Sequence, residues 1–155
     1  MKKELQAARL ARDIMSGEPV CVDLGMSVRE VWHLLEENEI SGAPVVDGGG
    51  RLVGVVSRSD LIKKFSDGDM HLDGSTLIEL FGNEEEDDGA MPERFVPVDD
   101  FMTPDPVTAS PTTPLHDVAA RMVAARVHRV IIVDKEQIPV GIVTSLDMVK
   151  TLADV

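Results

Sequence analysis

Gly54-Val-Val-Ser-Arg-Ser-Asp60 returns later in the chain as Gly141-Ile-Val-Thr-Ser-Leu-Asp147, 87 residues on. Without a gap, the same offset carries Met15 onto Met102, Pro19-Val20 onto Pro106-Val107 and Val31 onto Val118. It also carries Val45-Val46-Asp47 onto Ile132-Val133-Asp134 and Lys63 onto Lys150. A duplicated unit too small to close a core by itself stacks against its neighbour. Two copies therefore predict a pseudo-symmetric pair, with any ligand held in the clefts between them.

Each copy reads as strand, helix, strand, strand, helix. In the first, Pro19–Val22 is a brief strand, and Ser27-Val-Arg-Glu30 has the spacing of a capping box. Val28, Val31, Leu34 and Leu35 then recur at helical spacing to about Asn38. Ala43–Val46 and Leu52–Val56 are β-rich runs around the turn Asp47-Gly-Gly-Gly50, and a second helix runs from about Ser57 to Phe65. In the second copy Val107–Ala109 is the strand, and Thr113-Pro114 opens a helix with proline at a tolerated first-turn position. Val118, Met122 and Val123 supply that helix's apolar stripe. Val130–Val133 and Val140–Val143 form the strand pair, and Ser145–Leu152 closes the unit as a helix. The N-terminus predicts a short helix over residues 3–15, so the organisation is an N-terminal helix (1–10), repeat 1 (11–65), an acidic linker (66–97) and repeat 2 (98–155). Within the linker, Thr76–Phe81 fits a short amphipathic helix and Glu84–Asp88 a solvated charge run.

At 155 residues with 43% hydrophobic content the chain can bury a core, and with four Phe, one Trp and no Tyr that core is aliphatic. A net charge of −13 and a pI near 4.6 argue against nucleic acid and anionic membranes as partners. Cys21, the one cysteine, excludes an internal disulfide and any cysteine-rich zinc cluster, and Val20-Cys21-Val22 reads as a small apolar strand residue. No stretch has the apolar length of a secretion signal or a membrane span, which predicts a cytoplasmic protein. The histidines are scattered, and the carboxylates of 84–88 lack the alternating spacing of a calcium loop, so no metal site is expected. No nucleophile has a base and an orienting partner near it in a recognisable motif, and Gly48-Gly49-Gly50 lacks the Lys-Ser/Thr of a phosphate loop. The expectation is a protein that is not an enzyme.

These residues carry a family resemblance. Asp13-Ile-Met15, Ile40–Asp47 and Gly54–Leu61 in the first copy, with Asp100–Pro104, Val127–Asp134 and Gly141–Met148 in the second, resemble the CBS domain. The two copies together resemble a CBS pair, or Bateman module, standing alone. The resemblance implies an α+β fold of two βαββα repeats packed as a pseudo-two-fold pair. It also implies clefts for AMP, ADP, ATP or S-adenosylmethionine, none of them a required cofactor. By the same resemblance Asp60 and Asp147 hold a ribose, and Ser57 and Thr144 contact ribose or α-phosphate, with Arg58 and Ser145 inside the same motifs. His128 and Arg129 occupy a place where the family sets basic residues against phosphates. Their counterparts in the first copy are Ser41 and Gly42, so the two sites are chemically unequal.

The residues also admit a purely structural role, because Ser57-x-x-Asp60 and Thr144-x-x-Asp147 are helix-capping spacings that need no ligand. Adenine requires an apolar slot, for which Val20, Val22, Ala43, Val107 and Val130 are the candidate walls. The functional expectation is a regulatory module that senses adenosine-containing nucleotides, forms a homodimer through apolar faces on helices 28–37 and 115–125, and acts on an unknown partner protein. The alternative is a constitutive dimerisation scaffold with empty clefts.

Overall fold

The computed structural model describes residues 9–66 and 97–153. Its helices and paired strands follow the expected order, but the strand expected at Pro19–Val22 lies at Val22–Asp23, and the short strands at Ser16–Gly17 and Thr103–Pro104 were not expected. Chain order is α1 (Ala11–Ile14), β1 (Ser16–Gly17), β2 (Val22–Asp23), α2 (Val28–Glu37), β3 (Gly42–Val46), β4 (Leu52–Ser57) and α3 (Arg58–Ser66). A 3₁₀ turn (Val98–Asp100) follows, then β5 (Thr103–Pro104), β6 (Thr108–Ala109), α4 (Leu115–Ala125), β7 (Arg129–Val133), β8 (Pro139–Thr144) and α5 (Ser145–Ala153). The chain is α+β, and each repeat contributes βαββα: β2-α2-β3-β4-α3 and β6-α4-β7-β8-α5. Of the helix expected over 3–15, α1 is the described part, and residues 1–8 lie outside the described residues. The expected helix at 76–81 and the charge run at 84–88 also lie outside them.

The chain condenses into two compact units that do not follow the linear order of the repeats. One takes the chain up to Pro19, the turn Gly49–Leu52 and everything from Asp105; the other takes Val20–Gly48 and Val53–Pro104. Each repeat's lead-in segment therefore belongs to the unit built on the other repeat.

In the unit built on repeat 1, the sheet order is β2-β3-β4-β5. Strands β2 and β3 run parallel (Val22↔Val45), and β5 pairs antiparallel with β4 (Gly54↔Pro104, Val55↔Thr103). The capping box forms: Glu30 N donates to Ser27 Oγ at 3.2 Å, and Ser27 N donates to Glu30 Oε2 at 2.8 Å. From that start, Val28, Val31, Trp32 and Leu35 fall on one face of α2 and are all buried. They pack on Val22, Ala43, Val45, Val56 and Leu61, with Val98 and Phe101.

In the unit built on repeat 2, the order is β1-β8-β7-β6. Strand β1 pairs antiparallel with β8 (Ser16↔Ile142, Gly17↔Gly141), the 87-residue image of the β4–β5 pairing. Its core holds Ala11, Ala109, Val118, Met122, Val130, Ile132 and Val143. Pro114 is the N-cap of α4 rather than its first helical residue. Val123 is 79% exposed and lies outside the stripe, because it sits about 100° round the helix from Met122.

The backbone repeats more faithfully than the side chains. Glu18 and Asp105 (φ 49° and 50°), Glu39 and Arg126 (53° and 55°), and Gly50 and Gln137 (80° and 65°) are left-handed at matched positions. Only glycine enters this region without a steric cost, so five of these six residues hold it against their preference. Two methionines are matched as well. Met15 lies over Gly141, where an added Cβ would meet its Cγ at 2.9 Å, and Met102 lies over Gly54, with its Sδ at 2.6 Å from such a Cβ. Each glycine exists because a thioether occupies the space of its side chain.

Candidate functional site

Both carboxylates singled out from the sequence sit in the first turn of a helix and fold back on their own strand end. In the unit built on repeat 1, Ser57 N and Ser57 Oγ both donate to Asp60 Oδ2, at 2.8 and 3.0 Å, and Asp60 N donates to Ser57 Oγ at 3.3 Å. In the unit built on repeat 2, Thr144 N donates to Asp147 Oδ2 at 2.8 Å and Asp147 N donates to Thr144 Oγ1 at 3.2 Å. The helix-capping role is therefore real in both. It uses one oxygen of each carboxylate, and Oδ1 of Asp60 and of Asp147 has no partner among the described residues. An ionised carboxylate has about four acceptor positions, so capacity is left over.

The strand–helix junction gathers the other candidates. Ser145 N donates to His128 O at 2.8 Å, just as Arg58 N donates to Ser41 O at 2.9 Å in the first copy. Arg129 is the cross-strand partner of Thr144. Thr144, Ser145, Asp147, His128 and Arg129 therefore converge on the start of α5, with His128 exposed and Arg129 half-buried. Arg58 goes elsewhere: its guanidinium lies 5.8 Å from the Trp32 ring centroid, a cation–π arrangement on the α2 side. Arg58 Nε, Trp32 Nε1 and His33 Nε2 are buried without a hydrogen-bond partner among the described residues. Trp32 is buried in the core of its unit.

The five apolar wall candidates divide. Val22, Ala43 and Val130 have no exposed surface and belong to their unit's core, so packing accounts for them. Val20 and Val107 are half-buried and retain accessible surface. Helix α2 offers no apolar face for assembly, since its stripe is interior. Among the described residues, the large apolar side chains that are exposed are Leu24, Ile62 on α3, Val123 on α4, and Leu146, Val149 and Leu152 on α5, the last three at helical spacing.

An open groove of about 440 Å³ lies along α5 within the unit built on repeat 2, lined by Arg9, Asp13, Ile14, Asp147, Lys150 and Thr151. Its volume is in the range of small-molecule sites. Asp147, Lys150 and Thr151 are spaced at three and four residues and so share one helix face. Of these six, sequence reading assigned only Asp147 to a site: Asp13, Ile14 and Lys150 belong to the motif or the repeat without a role, and Arg9 has no counterpart at the repeat offset, where Val96 stands.

Metal and redox chemistry find little to work with. Among the described residues no three His, Cys, Asp or Glu converge, and His116 pairs with Asp117 at 2.9 Å on the surface. Burial, then the charge of Asp23, pushes the Cys21 thiol up from its ordinary value, which keeps it protonated at neutral pH. No described helix is long and apolar enough to cross a membrane.

Comparison with known proteins gives this geometry a context. The CBS domain pattern matches residues 11–67 and 98–154. The uncharacterized protein MJ1426 of Methanocaldococcus jannaschii is 33% identical over 153 residues, covering 92% of this chain and 90% of that protein. The L-aspartate semialdehyde sulfurtransferase of the same organism is 27% identical, but the chain spans only 22% of it. Among solved structures, the CBS domain pair of protein MJ0100 in complex with 5′-methylthioadenosine and S-adenosyl-L-methionine superposes with a TM-score of 0.72 at 25% identity, covering 94% of this chain and 97% of that one. CBSX2 in complex with AMP gives 0.71 at 27% identity, covering 95% and 98%. With both repeats matched and a near-full-length relative above 30% identity, the chain belongs to the CBS domain family.

Proposed function

We propose that this chain is a regulatory module that senses adenosine-containing nucleotides and is not a catalyst. Asp147, and Asp60 in the first repeat, would accept the ribose hydroxyls. Thr144 and Ser145 would flank the sugar, as Ser57 would in the first repeat, and His128 and Arg129 near the α5 start would meet any phosphate beyond the first. Val20 and Val107 are the accessible apolar candidates for adenine contact. The observation that carries this reading is the half-used carboxylate of Asp147 in a groove of ligand size. Solved relatives of the same fold hold 5′-methylthioadenosine, S-adenosyl-L-methionine and AMP, which supports an adenosyl ligand here.

A sensor must also transmit. A ligand shifts a conformational equilibrium only by binding its two states unequally. We place the readout in a homodimer joined through the exposed apolar residues of α5, Leu146, Val149 and Leu152, with Val123 of α4. The test is the thermal midpoint of the purified protein with adenosine, AMP, ATP or S-adenosylmethionine at millimolar levels. A ligand at one hundred times its Kd adds about 2.7 kcal/mol to stability. No shift with any of the four refutes sensing and leaves a scaffold that only dimerises.

A further inference from the structure

The α5 groove contains two cations, Arg9 and Lys150, to which the motifs assign no role. Neither Arg9 nor Lys150 makes an ion pair or a side-chain hydrogen bond among the described residues. Both are nonetheless held in place. The Arg9 carbonyl accepts from Leu115 N at 3.1 Å, and Leu10 forms a β-bridge to Pro114, which pins the backbone on either side of the arginine's entry to the groove. Lys150 lies on α5 one turn beyond Asp147, where Cβ atoms are about 5–6 Å apart. That is the order of the span from a ribose diol to its 5′-phosphate.

Two carboxylates also line the groove, so its formal charge is balanced, yet neither is paired with Arg9 or Lys150. Asp13 is turned back to its own helix start, its Oδ2 accepting from Leu10 N at 2.8 Å. Asp147 offers Oδ1, which suits hydroxyl donors. A neutral nucleoside would offer Arg9 and Lys150 no charged acceptor of its own. S-adenosylmethionine would bring one carboxylate but also a sulfonium and an ammonium, a net positive charge, where a 5′-phosphate brings only negative charge.

We propose that Arg9 and Lys150 are the specificity-determining residues of this groove, and that they select an adenosine carrying a 5′-phosphate over adenosine or S-adenosylmethionine. The inference rests on the ribose role assigned to Asp147. It also separates the repeats: the positions matched to Arg9 and Thr151 are Val96 and Lys64, so the arrangement is not duplicated. Arg9 offers a planar fork to phosphate oxygens and Lys150 a point charge, both giving charge-assisted bonds.

Calorimetric titration of the full chain with adenosine, AMP and S-adenosylmethionine tests this. Wild type should bind AMP at least about tenfold more tightly than adenosine, a preference that weakens as ionic strength rises. Arg9→Gln and Lys150→Gln should each reduce that preference about three- to tenfold while leaving adenosine affinity within about twofold. Arg9→Lys should restore part of it, which a merely structural role for Arg9 would not explain. Unchanged thermal midpoints of the free variants show that they fold. If AMP and adenosine bind the wild type and the variants keep its preference, lose both ligands equally, or lose S-adenosylmethionine as much as AMP, the inference falls and the sensing function stands. If no adenosine compound binds wild type, both fall.

Discussion

Replacing Asp147 by asparagine separates two jobs that one carboxylate holds. Its Oδ2 accepts from Thr144 N at 2.8 Å, a bond that an amide oxygen can reproduce. Asp147→Asn should therefore change the stability of the free protein by no more than about 0.5 kcal/mol, whereas Asp147→Ala removes the cap and costs about 1 kcal/mol. Binding should not distinguish the two variants. A ribose diol donates two hydroxyls, and asparagine meets one with an acceptor but turns an NH₂ donor toward the other. Losing a charge-assisted bond of about 2 kcal/mol weakens Kd about 30-fold. At a ligand concentration of one hundred times the wild-type Kd, stabilisation then falls from about 2.7 to about 0.9 kcal/mol. For 155 residues, 1 kcal/mol corresponds to about 3 °C, so the ligand-induced rise should shrink from about 8 °C to about 3 °C. The measurement is a thermal scan with and without AMP, in an Asp60→Asn background so that any contribution of the first repeat is small and equal in the two proteins. An Asp147→Asn protein whose midpoint rises as far as its parent's would refute the reasoning and leave Asp147 a helix cap only.

Other outcomes follow from the packing. Gly141→Ala should destabilise by about 1–3 kcal/mol in urea denaturation, and Met15→Ala in the same chain should recover part of the loss; strictly additive costs would mean that the two residues do not meet. Arg126→Gly should raise stability by about 0.5–1 kcal/mol, because the residue after α4 is left-handed at φ 55°; a fall in the denaturation midpoint would contradict that account. Val149→Glu should convert a dimer to a monomer by sedimentation, with the thermal midpoint of the isolated subunit unchanged, and a wild type that sediments as a monomer overturns the proposed α5 contact.

Much of the fold was legible because it rests on local signals. Ser27 and Glu30 announce a capping box, and Val28, Val31 and Leu35 announce a buried helical face, without reference to distant residues. The 87-residue offset then carried the element order across to the second copy. What stayed hidden depends on long-range packing. Val22, Ala43 and Val130 read equally well as pocket walls and as core, and only burial decides between them. The stripe of α2 looked available for assembly, yet it is interior, while the exposed apolar row lies on α5. Arg9 was invisible because its importance comes from standing beside Lys150, 141 positions away.

The crossed lead-ins constrain how such a chain can have arisen. Since Ser16-Gly17 completes the sheet of repeat 2 and Thr103-Pro104 that of repeat 1, neither repeat excised at its linear boundaries carries its own edge strand partner. An ancestor with a single copy would have met the same need only by trading segments between two polypeptides, and gene duplication would then have joined an existing swapped pair. Residues 98–155 expressed alone should accordingly self-associate, each copy lending its Met102–Pro104 to another. A stably folded solitary fragment would speak against that history.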